Sequence, residues 1–207
     1  MKQKNAGIQK LLQLLLPVLF FVTPCAAQDM PAWEVFGGYS FQRADVRQYF
    51  RPSPLIYTFR GRYTNLDGWD VSVTENLRPW LGGTLDISGH SKTPQLLGVT
   101  NRERMYSILY GPRLFHRVTA LGISVTPFAH VLLGLARADV RVTPTGPNAT
   151  DNAFAVATGG GLDLSLGSKA AIRLFQAEYF RTSLLGTRPD GLRASVGVVF
   201  YLGRKNN

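Results

Sequence analysis

The segment ATGGGLDLSLGSK, residues 157–169, sets three glycines ahead of an aspartate and ends in Gly-Ser-Lys, the ingredients of a phosphate-cradling loop. A Walker loop needs four residues between its first glycine and Gly-Lys-Ser/Thr, and a dinucleotide fingerprint needs a third glycine after two spacers. Five residues separate Gly161 from Gly167, Ser168 precedes Lys169, and no third fingerprint glycine follows. The spacing rules out both nucleotide motifs. His90-Ser91 is the adjacent pair that invites a test for nucleophilic catalysis. A serine nucleophile needs its base within hydrogen-bond reach and a third group to orient that base. Neighbours along a strand point to opposite faces, so His90 is not placed to activate Ser91, and no catalytic residue is assigned. A metal site needs several ligands to converge. His90 lies at a loop edge, His116 in a short turn and His130 in a strand. We therefore expect no metal and no cofactor.

The remaining candidates are charges that occur singly. Glu34, Asp86, Asp163 and Glu178 can be set against Arg113, Arg173 and Arg193, with His130 beside them. Each falls on the polar side of a segment of period two, the spacing of a β-strand. In WEVFGGYSF, Trp33, Val35, Gly37, Tyr39 and Phe41 oppose Glu34, Phe36, Gly38 and Ser40. In GWDVSVTEN, Trp69, Val71 and Val73 oppose Asp70, Ser72, Thr74 and Asn76, and LGGTLDIS, YSILYGPRL and VTPFAHVLLGL alternate in the same way. FAVATGGGLDLSL puts Gly159, Gly161 and Asp163 on one row; LRASVGVVFYL puts Arg193, Ser195, Gly197 and Tyr201 on one row. In KAAIRLFQAEYF a bulge near Phe175 brings Gln176 and Glu178 onto the side of Arg173.

These segments predict eight strands. Short turns join strands two and three, four and five, and six and seven, while longer polar loops cover roughly residues 42–67, 89–103, 138–151 and 182–190. Alternating connection lengths send every long loop to one end of an antiparallel sheet, as in an outer-membrane barrel. The polar rows are small and sparse, and no proposed strand has an internal lysine. The opposite rows are aliphatic with aromatics, among them Trp33, Trp69, Tyr106, Phe154, Phe180 and Phe200. That is a polar inside and a lipid-facing outside, and the expected fold is an all-β, closed, eight-stranded antiparallel transmembrane up-and-down barrel. An eight-stranded barrel is just wide enough for side chains to fill, so Glu34, Asp86, Arg113, His130, Asp163, Arg173, Glu178 and Arg193 are expected to pair inside it.

The chain opens with MKQKNAGIQK, an apolar run, and the small residues of PCAAQ, the three parts of a signal peptide. We assign residues 1–27 to the signal and 28–207 to the barrel. Cleavage removes Lys2, Lys4, Lys10 and the single cysteine, so the formal charge falls from +10 to +7 and no disulfide is available.

WEVFGGYSF, YGPRL, ATGGGLDLSL and ASVGVVFYL together resemble the small eight-stranded outer-membrane barrels of the OmpA-like transmembrane type, over about residues 32–203. The resemblance implies a Gram-negative outer-membrane location and an assembly signal at Ser195, Gly197, Phe200 and Leu202, read by the outer-membrane assembly machinery. No peptidoglycan-binding domain is expected after the eighth strand. The expected partners are outer-membrane lipids and lipopolysaccharide, which the arginines of the first long loop (Arg43, Arg47, Arg51, Arg60 and Arg62) would meet, with no nucleic acid. The expected role is non-catalytic: a monomeric envelope-integrity or surface-interaction protein with a plugged lumen. A narrow channel or carrier of a small hydrophobic ligand is the alternative, and a lipid A-modifying enzyme comes after it.

Overall fold

A computed structural model describes residues 30–46, 62–93, 95–96, 99–120, 122–143, 148–182 and 190–204. The signal peptide expected over 1–27, and Arg47, Arg51 and Arg60 of the first long loop, lie outside the described residues. Eight long strands form the wall: β1 (Trp33–Val46), β2 (Arg62–Arg78), β3 (Leu81–Lys92), β4 (Val99–Phe115), β5 (Ile123–Thr143), β6 (Asn148–Ser165), β7 (Ala170–Thr182) and β8 (Asp190–Leu202). Each pairs antiparallel with its sequence neighbour, and β8 pairs with β1 from Trp33↔Leu202 to Ala44↔Gly191. The sheet is a closed barrel. Two short segments, Gln95–Leu96 and Val118–Ala120, fold back on β4 and β5 as hairpin tips.

The alternation sorts residues as period two requires. Trp33, Tyr39, Trp69, Tyr106, Tyr110, Leu135, Phe154, Leu192 and Phe200 are exposed on the outside. Arg113, Arg193, Glu34, Asp70, Asp86, Asp163 and Glu178 are buried inside. The bulge in β7 is real: Leu162 pairs with Phe175 and Asp163 with Arg173, so Leu174 is the extra residue. Leu174 and Phe175 both face outward, at 45% and 52% exposure. Everything after them changes face, which delivers Gln176 and Glu178 to the lumen.

The same slip corrects one aromatic. Phe180, expected on the outer surface, is 1% exposed inside the barrel, because it keeps step with Gln176 and Glu178. There it joins Met105, Leu109, Leu132, Ala136, Ala155 and Ala157 in an apolar cluster along the β4–β7 wall. The lumen is therefore not polar throughout. Three of the expected long loops also shrink, the first because residues 42–46 and 62–67 belong to β1 and β2. Residues 89–92 and 99–103 belong to β3 and β4, and residues 138–143 and 148–151 to β5 and β6. What reads as polar loop is largely strand continuing past the apolar band, since polar residues on both faces hide the alternation.

The glycines of β6 are set by the close approach of neighbouring backbone and, on the inside, of neighbouring side chains. A Cβ on Gly161 would lie 2.3 Å from the Phe175 carbonyl oxygen and 2.8 Å from the Phe128 ring, and one on Gly159 would lie 2.1 Å from the Ala177 carbonyl oxygen and 2.9 Å from Glu178 Cγ. Substituting Gly161→Leu is expected to destabilise the barrel by about 1–3 kcal/mol through overpacking, read as a lower urea midpoint in detergent micelles. Thr158→Leu, on the outward row of the same strand, is the control and should leave the midpoint nearly unchanged.

Candidate functional site: the lumenal charge network

All eight sequence-predicted interior residues lie inside the barrel, and they gather in two clusters. The cluster toward the short turns is built on Arg113 of β4. Its guanidinium donates to Glu34 Oε2 at 2.9 Å and to Asp163 Oδ2 at 2.9 Å, which ties β1, β4 and β6 across the lumen. Arg173 of β7 grips the same aspartate through Nε at 2.8 Å and a terminal nitrogen at 3.1 Å, and donates to Gln176 Oε1 at 2.6 Å. Glu34 also accepts from Asn76 Nδ2 at 3.0 Å and from Arg117. Aromatic rings fill the space between these charges. The Arg113 and Arg173 guanidinium carbons stand 4.0 and 4.5 Å from the Phe128 centroid, and Arg173 stands 4.2 Å from that of Phe36. Cation–π contact of this kind stabilises a guanidinium removed from water.

The second cluster is built on Arg193 of β8. It meets Glu178 through Nε at 2.5 Å and through a terminal nitrogen at 3.0 Å, and reaches Asp86 Oδ1 at 2.9 Å and Ser88 Oγ at 2.8 Å. His130 Nε2 lies 2.7 Å from Glu178 Oε1. Arg193 is 1% exposed, and one planar fork serves three strands. A lysine, with a single point charge, cannot make that set of bonds.

Several members escape the sequence reading. Asp70 stands on the predicted polar row of β2 yet is absent from the expected charge set; it accepts from Ser195 Oγ at 3.0 Å and from Gln176 Nε2 at 3.4 Å. Arg117 comes from a short connection, where periodicity carries no signal. His90 lies inside the wall, because β3 runs on to Lys92. Its Nε2 sits 2.9 Å from Ser40 Oγ, which in turn lies 3.0 Å from Ser195 Oγ. This is a serine–histidine contact inside the wall. Ser40 is fully buried and Asp70 holds Ser195, not the His90 ring. Ser91, the serine first considered, is exposed on the opposite face.

At the short-turn mouth a cavity of about 660 Å³ is lined by residues including Arg117, Lys169, Tyr201 and Arg204. Arg117, bonded to Glu34, is where this cavity meets the first cluster. Of the four residues expected to form an assembly signal, Ser195 and Gly197 face inward while Phe200 and Leu202 lie exposed on the outer face of the closing strand. Gly197 pairs with Gly38, and an added Cβ there would lie 2.9 Å from the Phe36 ring.

Solved structures share this architecture. Ail, the attachment invasion locus protein of Yersinia pestis, superposes with a TM-score of 0.55 at 16% identity, over 83% of this chain and 99% of its own. Neisserial surface protein A gives 0.56 at 13% identity, over 83% and 97%. OprG of Pseudomonas aeruginosa gives 0.50 at 10% identity, over 86% and 98%. The fold is that of the small outer-membrane barrels. No family model matches the sequence, and no curated protein matches it significantly.

Removing one partner from a buried ion pair strands the other charge, at a cost of about 3–5 kcal/mol. Arg193→Leu is therefore expected to lower the unfolding free energy by that amount, with Arg193→Lys recovering only part of it. Urea titrations in detergent, followed by tryptophan fluorescence, measure both.

Proposed function

We propose that this chain is an integral outer-membrane barrel of a Gram-negative cell envelope, exported by a cleaved signal peptide over residues 1–27. It acts as a monomer without catalysis, through envelope integrity or surface interaction at its long-loop end. The inversion of its two faces carries this reading: large apolar and aromatic side chains outside, paired charges inside. In water such an exterior would aggregate, whereas in lipid it is the solvated surface. Closure supports the same reading, because every wall strand finds a partner on both sides and lipid tolerates no unpaired backbone.

The lumen is shut. Arg117, Glu34, Arg113, Asp163 and Arg173 form one bonded chain across the short-turn half, and Arg193, Glu178 and Asp86 close the middle. An ion crossing here has to break several charge-assisted bonds in a low-dielectric space. Surface interaction is in keeping with what its structural neighbours are named for: attachment and invasion for Ail, and a surface protein in Neisseria. During biogenesis Ser195, Gly197, Phe200 and Leu202 would present the closing strand to the assembly machinery.

Two measurements test the proposal. Protein from an outer-membrane fraction should migrate differently on gels unheated and boiled, as a folded barrel does; recovery in the soluble periplasmic fraction without a shift would contradict it. In planar bilayers the wild type should give no stable openings. Steady conductance that disappears when Arg113 or Arg173 is neutralised would replace the plug with a gated channel.

A further inference from the structure

Where the apolar band ends, the outward rows of β4 and β5 turn basic. Along β4 toward the long loops the outward residues are Ile108, Tyr106, Arg104 and Arg102; along β5 they are Leu135, Arg137, Asp139 and Arg141. The register sets Tyr106 opposite Arg137, Arg104 opposite Asp139 and Arg102 opposite Arg141. Directly opposed residues project side by side from one face, so Arg102 and Arg141 form a like-charge pair that the sheet by itself disfavours. Both are exposed, and so is Arg137.

Among the described residues, the surroundings do not neutralise the patch. Asp139 is the carboxylate that the described residues place on it, and that carboxylate accepts from Thr150 Oγ1 at 2.6 Å and from Arg137 Nε at 3.4 Å. The flanking strands contribute uncharged residues: Ser91 of β3 opposite Arg104, and Asn152 and Thr150 of β6 opposite Arg137 and Asp139. Among the described residues, four guanidiniums on this outward face stand around one carboxylate. Their planar forks match phosphate oxygens, which they bind in bidentate fashion.

Direction selects the ligand. The arginines point sideways from the wall: Arg104 and Arg137 stand one outward step beyond Tyr106 and Leu135, and Arg102 and Arg141 stand one and two steps further, rising from the edge of the apolar band through the level of the headgroups. Residues that capture a soluble polyanion from outside would instead be expected at the loop tips. We propose that Arg102, Arg104, Arg137 and Arg141 bind the phosphorylated headgroup of an outer-leaflet glycolipid, whose acyl chains lie against the band below. This rests on the membrane reading above and gives its lipid partner a defined site.

The test uses full-length protein refolded into phosphatidylcholine vesicles carrying either bisphosphorylated lipid A or lipid A stripped of both phosphates. Lipid retained after gentle extraction is quantified by mass spectrometry. The bisphosphorylated form should be retained about tenfold or more over the stripped form. Arg102→Glu, which gives Arg141 an opposite charge across the strand pair, should abolish that preference and keep the unheated gel shift; Arg141→Gln should do the same. Arg181→Gln removes a rim arginine paired with Asp190 at 3.5 Å and should leave the preference intact. Equal retention of the two lipids, or undiminished preference in Arg102→Glu, overturns the site while the barrel stands. Displacement of lipid A by inorganic phosphate or sucrose octasulfate in equimolar competition marks a soluble-anion site and overturns the lipid assignment. Failure of the wild type to insert, with no gel shift, overturns the membrane reading itself.

Discussion

The pairing of β1 with β8 is the constraint on which the rest of the structure depends. Twelve successive residue pairs join the two ends of the sheet, and with them the last open strand edges disappear. Only a sheet without edges can present its outer face to hydrocarbon, because unpaired amides there have no water to turn to. Closure also sets the width of the inside. Eight strands leave room for side chains and little else, so every charge that points inward must find its partner among residues on other strands. The outward apolar band and the inward ion pairs are two consequences of one geometric fact.

Within that narrow space arginine does what no other cation could. Arg113 and Arg193 each span three strands, and Arg173 holds Asp163 with two nitrogens while passing a third bond to Gln176. Phenylalanines at 36 and 128 take the faces of these guanidiniums where no acceptor is available. The glycines of β6 belong to the same arrangement. Gly159 and Gly161 leave the volume that Glu178 and Phe128 occupy, which is why a glycine run resembling a phosphate loop sits in a barrel wall.

Much of this is legible in period-two alternation. The row that contains Glu34 also contains Ser40, and the row of Asp163 also contains Gly159 and Gly161, so inside and outside separate without any coordinates. The bulge near Phe175 is visible because Arg173, Gln176 and Glu178 cannot share a face in an unbroken strand. Its consequence for Phe180 is harder to see, since an aromatic suits either a lipid face or an apolar patch in the lumen. Strand ends are not legible for a physical reason. Past the membrane both faces of a strand are polar, and residues such as Arg102, Asp139 and Thr150 have the composition of loop while holding ladder register. His90 and the arginine patch on β4 and β5 stay hidden for the same reason. Asp70 is a different case, visible on its row but left out of the charge pairing.

On this reading the apolar face meets lipid and the charged face meets itself. The chain has three tryptophans: Trp33 and Trp69 lie exposed on the outer face, and Trp80 is exposed in the turn between β2 and β3. In a Trp80→Phe variant, fluorescence in vesicles therefore reports the outer face alone. Lipids brominated along the acyl chains should quench most of the emission, while aqueous iodide should quench little of it. Emission that iodide quenches freely and bromolipids leave untouched would mean that the apolar face does not lie in a bilayer.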